Sequence, residues 1–395
     1  MFYFRGLEFR RAVAASVENP LRSKGDPVGR NPLHTKLCDM LGIDFPIIAF
    51  THCKDVVAAV VNAGGFAVLG EAMHTADEIG ADIRWIRSRV GDKPFGIDLV
   101  LPASAPDGDT LEQLLAKIPD EHKRFAAYIK EKYNVPDPKG SQALHQWGGL
   151  NQDIARKQLE VILDERAPVF VSGLGSPAFM LKAAHERGMK VFGLIGKARQ
   201  AKREIEAGVD VIIAQGYDAA GHTGPIGTFS IVPEVAALAG DVPVVAAGGV
   251  TTGRHLAASI CLGAAGVWTG TLWLASRESD NDMIIKEKLV AATADDTVYS
   301  KSVSGFAMRV LKCPWTEEWA TPEAPRVLSS PYQMLLSSDY IQAANDHRRA
   351  DLMFEAAGQG VSFIDSMKPA KQIVNDMVEE ALSVFEEITG ESADA

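Results

Sequence analysis

The chain has 395 residues, with 51 Asp and Glu against 40 Lys and Arg, and a formal net charge of −11; such an acidic balance lacks the basic face that nucleic-acid binding requires. Hydrophobic residues make up 47% and charged residues 23%, which implies a globular chain with a sizeable core rather than a disordered one. No apolar run approaches the roughly 20 residues of a membrane span, and Cys38, Cys53, Cys261 and Cys313 are scattered with no C-x-x-C pair, so a soluble, metal-free protein of the reducing cytoplasm is expected.

Residues 1–34 form an N-terminal extension carrying Arg5, Arg10, Arg11, Arg22, Lys24 and Arg30. It has neither the apolar core nor the small-residue cleavage site of a secretory signal, while an amphipathic transit peptide stays open. From residue 45, short Val- and Ile-rich runs alternate with helical patterns, the mark of parallel strands joined by crossover helices. Eight runs qualify: 45–50, 66–69, 94–100, 168–172, 190–195, 209–214, 242–247 and 266–270. Most are too short for buried helices and are bounded by Gly, Pro or Asp.

Between the runs, helices are expected over 176–187, with a Ser cap and Pro in the first turn, over 198–207, stopped by Gly208, and over 252–262. Eight β/α units predict a (β/α)8 TIM barrel over 35–276. An open doubly wound sheet would carry a G-x-G-x-x-G turn after its first strand, and none follows Phe50. The regularity breaks at about 101–158, where a polar helical segment (111–133), a Pro-containing link (135–140) and a helix starting near Asn151 read as an insertion after strand three. Residues 277–395 read as a helical C-terminal extension with Pro-containing loops, ending in a helix over about 369–388 and packing on the barrel or walling its mouth.

Active sites of such barrels lie at the C-terminal ends of the strands, with phosphate bound by the loops after strands seven and eight. Strand seven leads into Gly248 and Gly249, and strand eight ends in Trp268, Thr269, Gly270 and Thr271. Glycines let backbone N–H groups approach phosphate oxygens, and Thr271 adds a hydroxyl. Either turn alone is an ordinary tight turn; the pair predicts a bound phosphate. Strand six leads into Gln215 and Gly216, then Ala219, Ala220, Gly221 and His222. The small residues leave room for a flat ring, Gln215 offers an amide that both donates and accepts, and His222 has the titration range of a general base. Spacing alone leaves His222 open between base and structural hydrogen-bonder. Lys197 and His52 also fall at strand ends facing the mouth, where they are candidates for substrate contact or surface side chains.

The run from Asp210 to Gly224 (DVIIAQGYDAAGHTG) resembles the nitronate monooxygenase family, formerly 2-nitropropane dioxygenases. Further similar segments are Leu41 to Pro46, Asn62 to Gly65, Ala247 to Gly249, Leu262 to Thr271, Ala357 to Gln359 and Pro369–Ala370, so the resemblance spans roughly residues 35–382. It implies an FMN-binding barrel oxidoreductase with Gln215, Gly216, Ala220, Gly221, Gly248, Gly249 and Trp268 to Thr271 around the flavin and His222 as its catalytic histidine. Ala49, Phe50 and Thr51 stand where the family has a Pro-Met step against the flavin. Asp98 stands where a strand-three Asn touches it, and is expected to be a negatively charged acceptor in place of an amide.

The resemblance implies oxidation of alkyl nitronates with O2. Relatives on the same scaffold reduce enoyl or other CoA thioesters or quinones, with NAD(P)H as co-substrate, so His222 marks the site rather than the reaction. The partner is in either case a small-molecule substrate; subunit number is left open, with a homo-oligomer among the options.

Overall fold

The computed structural model describes residues 31–100, 110–140 and 152–390. Its centre is a closed barrel of parallel strands. In chain order these are β1 (Ile47–Thr51), β2 (Phe66–Gly70), β3 (Gly96–Val100), β4 (Val169–Leu174), β5 (Lys190–Ile195) and β6 (Val211–Gln215). A two-residue strand outside the barrel, β7 (Gly221–His222), comes next, and β8 (Val244–Ala247) and β9 (Gly266–Thr269) then complete the circle, with β9 pairing back onto β1. The eight expected strands are the eight barrel strands, and the (β/α)8 fold is what the chain adopts. Five begin one or two residues later than expected, and in four of them a proline with no N–H to give to a ladder, Pro46, Pro94, Pro168 or Pro243, lies just ahead of the strand.

Both faces of the barrel wall are buried, which is why its strands are continuous apolar runs. Ile48, Phe66, Val68, Val169, Val171, Phe192, Val211, Ile213, Val245, Ala247 and Trp268 fill the interior. Alternate residues such as Ile47, Leu69, Ile97, Phe170, Val191, Ile212 and Val267 meet the surrounding helices. The short helix Lys36–Leu41, capped by the Thr35 hydroxyl, sends Leu37, Cys38 and Leu41 into the interior cluster and so closes the N-terminal end of the barrel. The opposite end is left for chemistry.

Helices 198–207 and 253–261 agree with expectation. The helix expected over 176–187 is confined to Leu181–His185. The Ser176 hydroxyl accepts from Ala178 N and donates to the Glu204 carboxylate, and Met180 N bonds to Pro177 O, so the first residues form turns instead of a helical start. Likewise the segment expected over 111–133 is two helices, Leu111–Ala116 and Asp120–Lys132, because Pro119 is extended and caps the second. Residues 101–109 and 141–151 of the insertion, and 1–30 of the N-terminal extension, lie outside the described residues.

The C-terminal extension is not only helical. It contains the antiparallel pair β10 (Thr297–Ser300) and β11 (Met308–Leu311), and β11 pairs in turn with β7. Helix Tyr332–Asp346 takes the insertion onto itself through Leu114, Ile118 and Leu335, and Glu318 accepts hydrogen bonds from Lys132 Nζ and Tyr133 Oη, both at 2.7 Å. The final helix, Ala370–Thr389, packs on Gly253–Cys261 so closely that a Cβ on Gly253 would lie 2.3 Å from Met377 O, and Glu380 accepts from Gly253 N. Among the described residues the four cysteines are free thiols, and no helix is long and apolar enough to cross a membrane.

Candidate active site

The strand periodicity that builds the core also selects the residues at its upper rim. Counting inward-facing positions up each strand from the interior cluster gives Phe50, Asp98, Gly173, Leu194, Gln215 and Trp268. Phe50 stacks on Trp268 with ring centres 5.4 Å apart, which gives this layer a flat aromatic side. Asp98 and Gln215 are its polar members, 5% and 8% exposed. Neither has its polar atoms fully spent. Asp98 Oδ1 is buried without a partner, and the Gln215 amide makes no hydrogen bond to a described residue.

Above the layer opens a cavity of about 1090 Å³, whose wall includes Gly173, Lys197, Gln215, His222, Thr223 and Phe306. Lys197 and His222, expected at the mouth from separate strand ends, therefore face one space. His52 does not join them: it is exposed and its Nδ1 bonds to Gly70 O at 2.8 Å. The physical reason is local, since the backbone carbonyl at the end of β2 captures the ring while Phe50 packs edge-on against it.

His222 is held by residues that lie far away in sequence. Its backbone is in β7, opposite Met308 of β11, and Thr223 N donates to Ala307 O. Its Nε2 lies 2.8 Å from Ser304 Oγ, and the Phe306 ring stands edge-on at 5.8 Å. Burial in this setting lowers the imidazole pKa from its ordinary value, which favours the neutral ring. When the Ser304 hydroxyl donates to Phe306 O, Nε2 carries the ring proton and Nδ1 is the free base nitrogen. Ser304, Phe306 and Arg309 were not anticipated; the sequence around them has no motif to draw attention.

Arg309 anchors the same loop. It is 5% exposed, donates from Nε to Tyr217 O and from Nη1 to Thr297 Oγ1, both at 3.0 Å, and lies over the Tyr217 and Tyr299 rings. Gly216 is needed for the turn that precedes it, because a Cβ there would lie 2.0 Å from Thr228 Oγ1. Ala220 and Gly221 are half-buried, and nothing fills the space beside Gly221.

Beyond β8, Gly248 and Gly249 have φ of 107° and 69°, values that favour glycine, and turn the chain across the barrel mouth. Space is open beside Gly270, and Thr271 Oγ1 accepts from Gly358 N at 3.0 Å, which leaves its own proton to give. The tail segment around Gly358 is packed in closely: Gln359 N donates to Asp218 O, and a Cβ on Gly360 would meet Gly249 O at 2.9 Å. The loops after strands six, seven and eight are thus joined by the C-terminal extension. Thr269 is a wall residue whose hydroxyl donates to Ile48 O and accepts from Trp273 Nε1. Ala49 and Thr51 are buried, with the Thr51 hydroxyl accepting from Cys53 N, so only their backbone is available to a ligand.

Asp98, expected as a charged acceptor, stands in surroundings that disfavour its charge. Burial raises its carboxyl pKa well above the usual carboxylate range, with only a bond to the Gly173 backbone in opposition, which favours the protonated acid over the charged acceptor. A neutral acid can donate as well as accept, which removes the conflict with an amide at that position. Glu71, His74 and Asp82 bring ligand atoms within 4.8 Å of one another, but Lys54 Nζ, 2.6 Å from Asp82 Oδ1, already supplies a cation.

A buried acid with one unpartnered oxygen, an amide bonded to no described residue, an aromatic flank and two glycine turns fit a planar heteroaromatic ring carrying a phosphate. Comparison with known proteins agrees. Residues 34–380 match the family model described as nitronate monooxygenase. The Mycobacterium tuberculosis protein Rv1533 is 38% identical over 373 residues, covering 91% of this chain and 99% of that one. A second protein of that organism, named (3aS,4S,5R,7aS)-5-hydroxy-7a-methyl-1-oxo-octahydro-1H-indene-4-carboxyl-CoA dehydrogenase, is 31% identical over 292 residues, 72% of this chain and 68% of that one. The structure of nitroalkane oxidase from Streptomyces ansochromogenes superposes with a TM-score of 0.74 at 26% identity, covering 89% of this chain and 99% of that chain. This chain belongs to the nitronate monooxygenase family of flavin-dependent barrel oxidoreductases, a membership that implies an FMN-binding fold.

Proposed function

We propose that the protein binds FMN at the barrel mouth and uses His222 as a base to oxidise alkyl nitronates with O2. Asp98 and Gln215 would hold the polar edge of the ring, with Phe50, Trp268, Gly216, Ala220 and Gly221 around it. The backbone N–H groups of Gly248, Gly249 and Gly270, with Thr271, would hold the phosphate. The bound flavin supplies the two-electron acceptor. Lys197 draws the anionic substrate into the cavity, and His222, whose burial favours the neutral ring, takes the α-proton of the neutral nitroalkane to leave the nitronate, or orients the nitronate anion itself. The observation that carries this reading is the buried His222 imidazole, held by Ser304 and facing the same cavity as a lysine.

A second reading is favoured by the size and charge of that cavity. About 1090 Å³ is more than a small nitronate fills, and Arg156, Lys197, Arg203 and Lys301 outnumber Asp153 and Glu204 in its wall although the chain is acidic overall. A phosphate-bearing CoA thioester, or a quinone, reduced at the expense of NAD(P)H would use the same space. Anaerobic addition of propyl-2-nitronate should bleach the flavin absorbance, and NADH or NADPH should leave it unchanged. The reverse pattern would refute the first reading in favour of the second. We also place the protein in the cytoplasm, where its free thiols persist.

A further inference from the structure

Asp98 lies at the inward-facing rim of β3, between Gly70 of β2 and Val171 of β4 in the barrel register. Its side chain is out of solvent, and Oδ1 finds no partner. The next residue up β4 on that face is Gly173, which lines the cavity; a Cβ there would come within 2.8 Å of Asp98 Oδ1, so the glycine keeps the space the carboxyl occupies.

Among the described residues no basic side chain compensates it. On the adjacent strand end, Glu71 gives its N–H to the Asp98 backbone carbonyl and turns its carboxylate to His74, while His52 is bonded to the Gly70 carbonyl. From β4 the neighbours are Val171 and Gly173, and across the layer stand Phe50, Gln215 and Trp268, none of them charged. A buried carboxyl without a counter-charge takes up a proton, and its raised pKa follows from that desolvation.

We propose that Asp98 meets the bound flavin as a neutral carboxylic acid whose O–H donates to an acceptor on the ring. This rests on the FMN reading above and adds the protonation state and hydrogen-bond direction at this one residue. An acid kept neutral by an apolar site so that it can donate is a known device for stabilising charge on a ligand. Its consequence here is specific: an amide, which also donates and accepts, should replace this acid without electrical effect, whereas an ionised carboxylate could not be so replaced.

The test uses the full-length protein, its FMN-free form, and the variants Asp98→Asn and Asp98→Ala. We expect Asp98→Asn to bind FMN within about threefold of the native affinity and to leave the flavin midpoint potential unchanged. We expect Asp98→Ala to weaken FMN binding about tenfold, the loss of one hydrogen bond. Infrared spectra of the native protein should show a protonated carboxyl stretch that shifts in D2O and is missing from Asp98→Asn. A rise in midpoint potential in Asp98→Asn, with no such band in the native protein, would show an ionised Asp98 and overturn the proposal. Native FMN affinity in a folded Asp98→Ala would overturn it equally, by showing that the carboxyl does not meet the ring. Should the native protein fail to take up FMN, the flavin reading fails instead, and the infrared band of the FMN-free protein still decides the protonation state. Thermal unfolding of each variant identifies any that does not fold; Asp98→Asn, of the same shape, preserves the test.

Discussion

Replacing Arg309 by Met should loosen the loop that carries His222 while leaving the barrel intact. Methionine fills most of the space of the arginine stem, so the cavity contribution is small. What is lost is a hydrogen bond to the Tyr217 carbonyl, another to Thr297 Oγ1, and cation–π contact with two tyrosines at 5.5 and 5.9 Å. Hydrogen bonds to a charged group contribute roughly 1.5–3 kcal/mol each, and cation–π contacts about 0.5–2 kcal/mol. Against them stands the desolvation of a buried guanidinium, several kcal/mol, which methionine does not incur. The net loss expected is about 2–3 kcal/mol.

That loss should be local, because Arg309 joins β11 to the turn after β6 and its hydrogen bonds and ring contacts go to Tyr217, Thr297 and Tyr299. Hydrogen exchange of the Tyr217, Ala219 and Thr223 amides, bonded to Ile226 O, Gly216 O and Ala307 O, reports on it directly. At tenfold per 1.4 kcal/mol, exchange there should accelerate roughly 30- to 150-fold while barrel amides change little. Arg309→Lys should recover only part, since an ammonium lacks the planar fork. Exchange within about twofold of native at all three amides would refute the idea that the hairpin holds the His222 loop.

His222→Asn should retain FMN and lose turnover by about 10²- to 10⁴-fold. Because burial lowers the His222 pKa, kcat/KM should stay level through neutral pH and fall only below the ordinary imidazole range; a fall beginning above it would contradict the burial argument. Lys197→Met should raise KM for an anionic substrate about tenfold with a smaller effect on kcat, as steady-state kinetics at two salt concentrations would show. In the FMN-free protein, the raised pKa of Asp98 contributes stability that is full below about pH 4 and is lost as pH rises through the folded-state value. Asp98→Asn should therefore gain on the native chain as pH rises, measured by urea unfolding; a gap independent of pH would show that the carboxyl is not shifted.

Much of the fold was legible because barrel strands are buried on both sides. Val169 to Val171 or Val211 to Ala214 cannot alternate with polar residues, so they stand out as apolar runs. Helix ends were legible where one residue carries the signal, as with Gly208 in the left-handed region after Ala198–Ala207. The same signals misled where a side chain had another partner: Ser176 looked like a helix cap but is drawn to Glu204, 28 residues on. The hairpin β10–β11 went unread because four-residue strands such as Thr297–Ser300 and Met308–Leu311 have no period long enough to register.

The sequence by itself determined the barrel, the glycine turns after strands seven and eight, and the placing of Gln215 and His222 at the end of strand six, since each depends on residues close together in the chain. Tertiary structure alone decided that Ser304 and Phe306 fix the His222 ring, that Lys197 shares its cavity while His52 does not, and that burial raises the Asp98 pKa. Those outcomes depend on which distant groups surround a side chain once the barrel closes, and on how far water is excluded from it. Neither quantity is a property of local sequence.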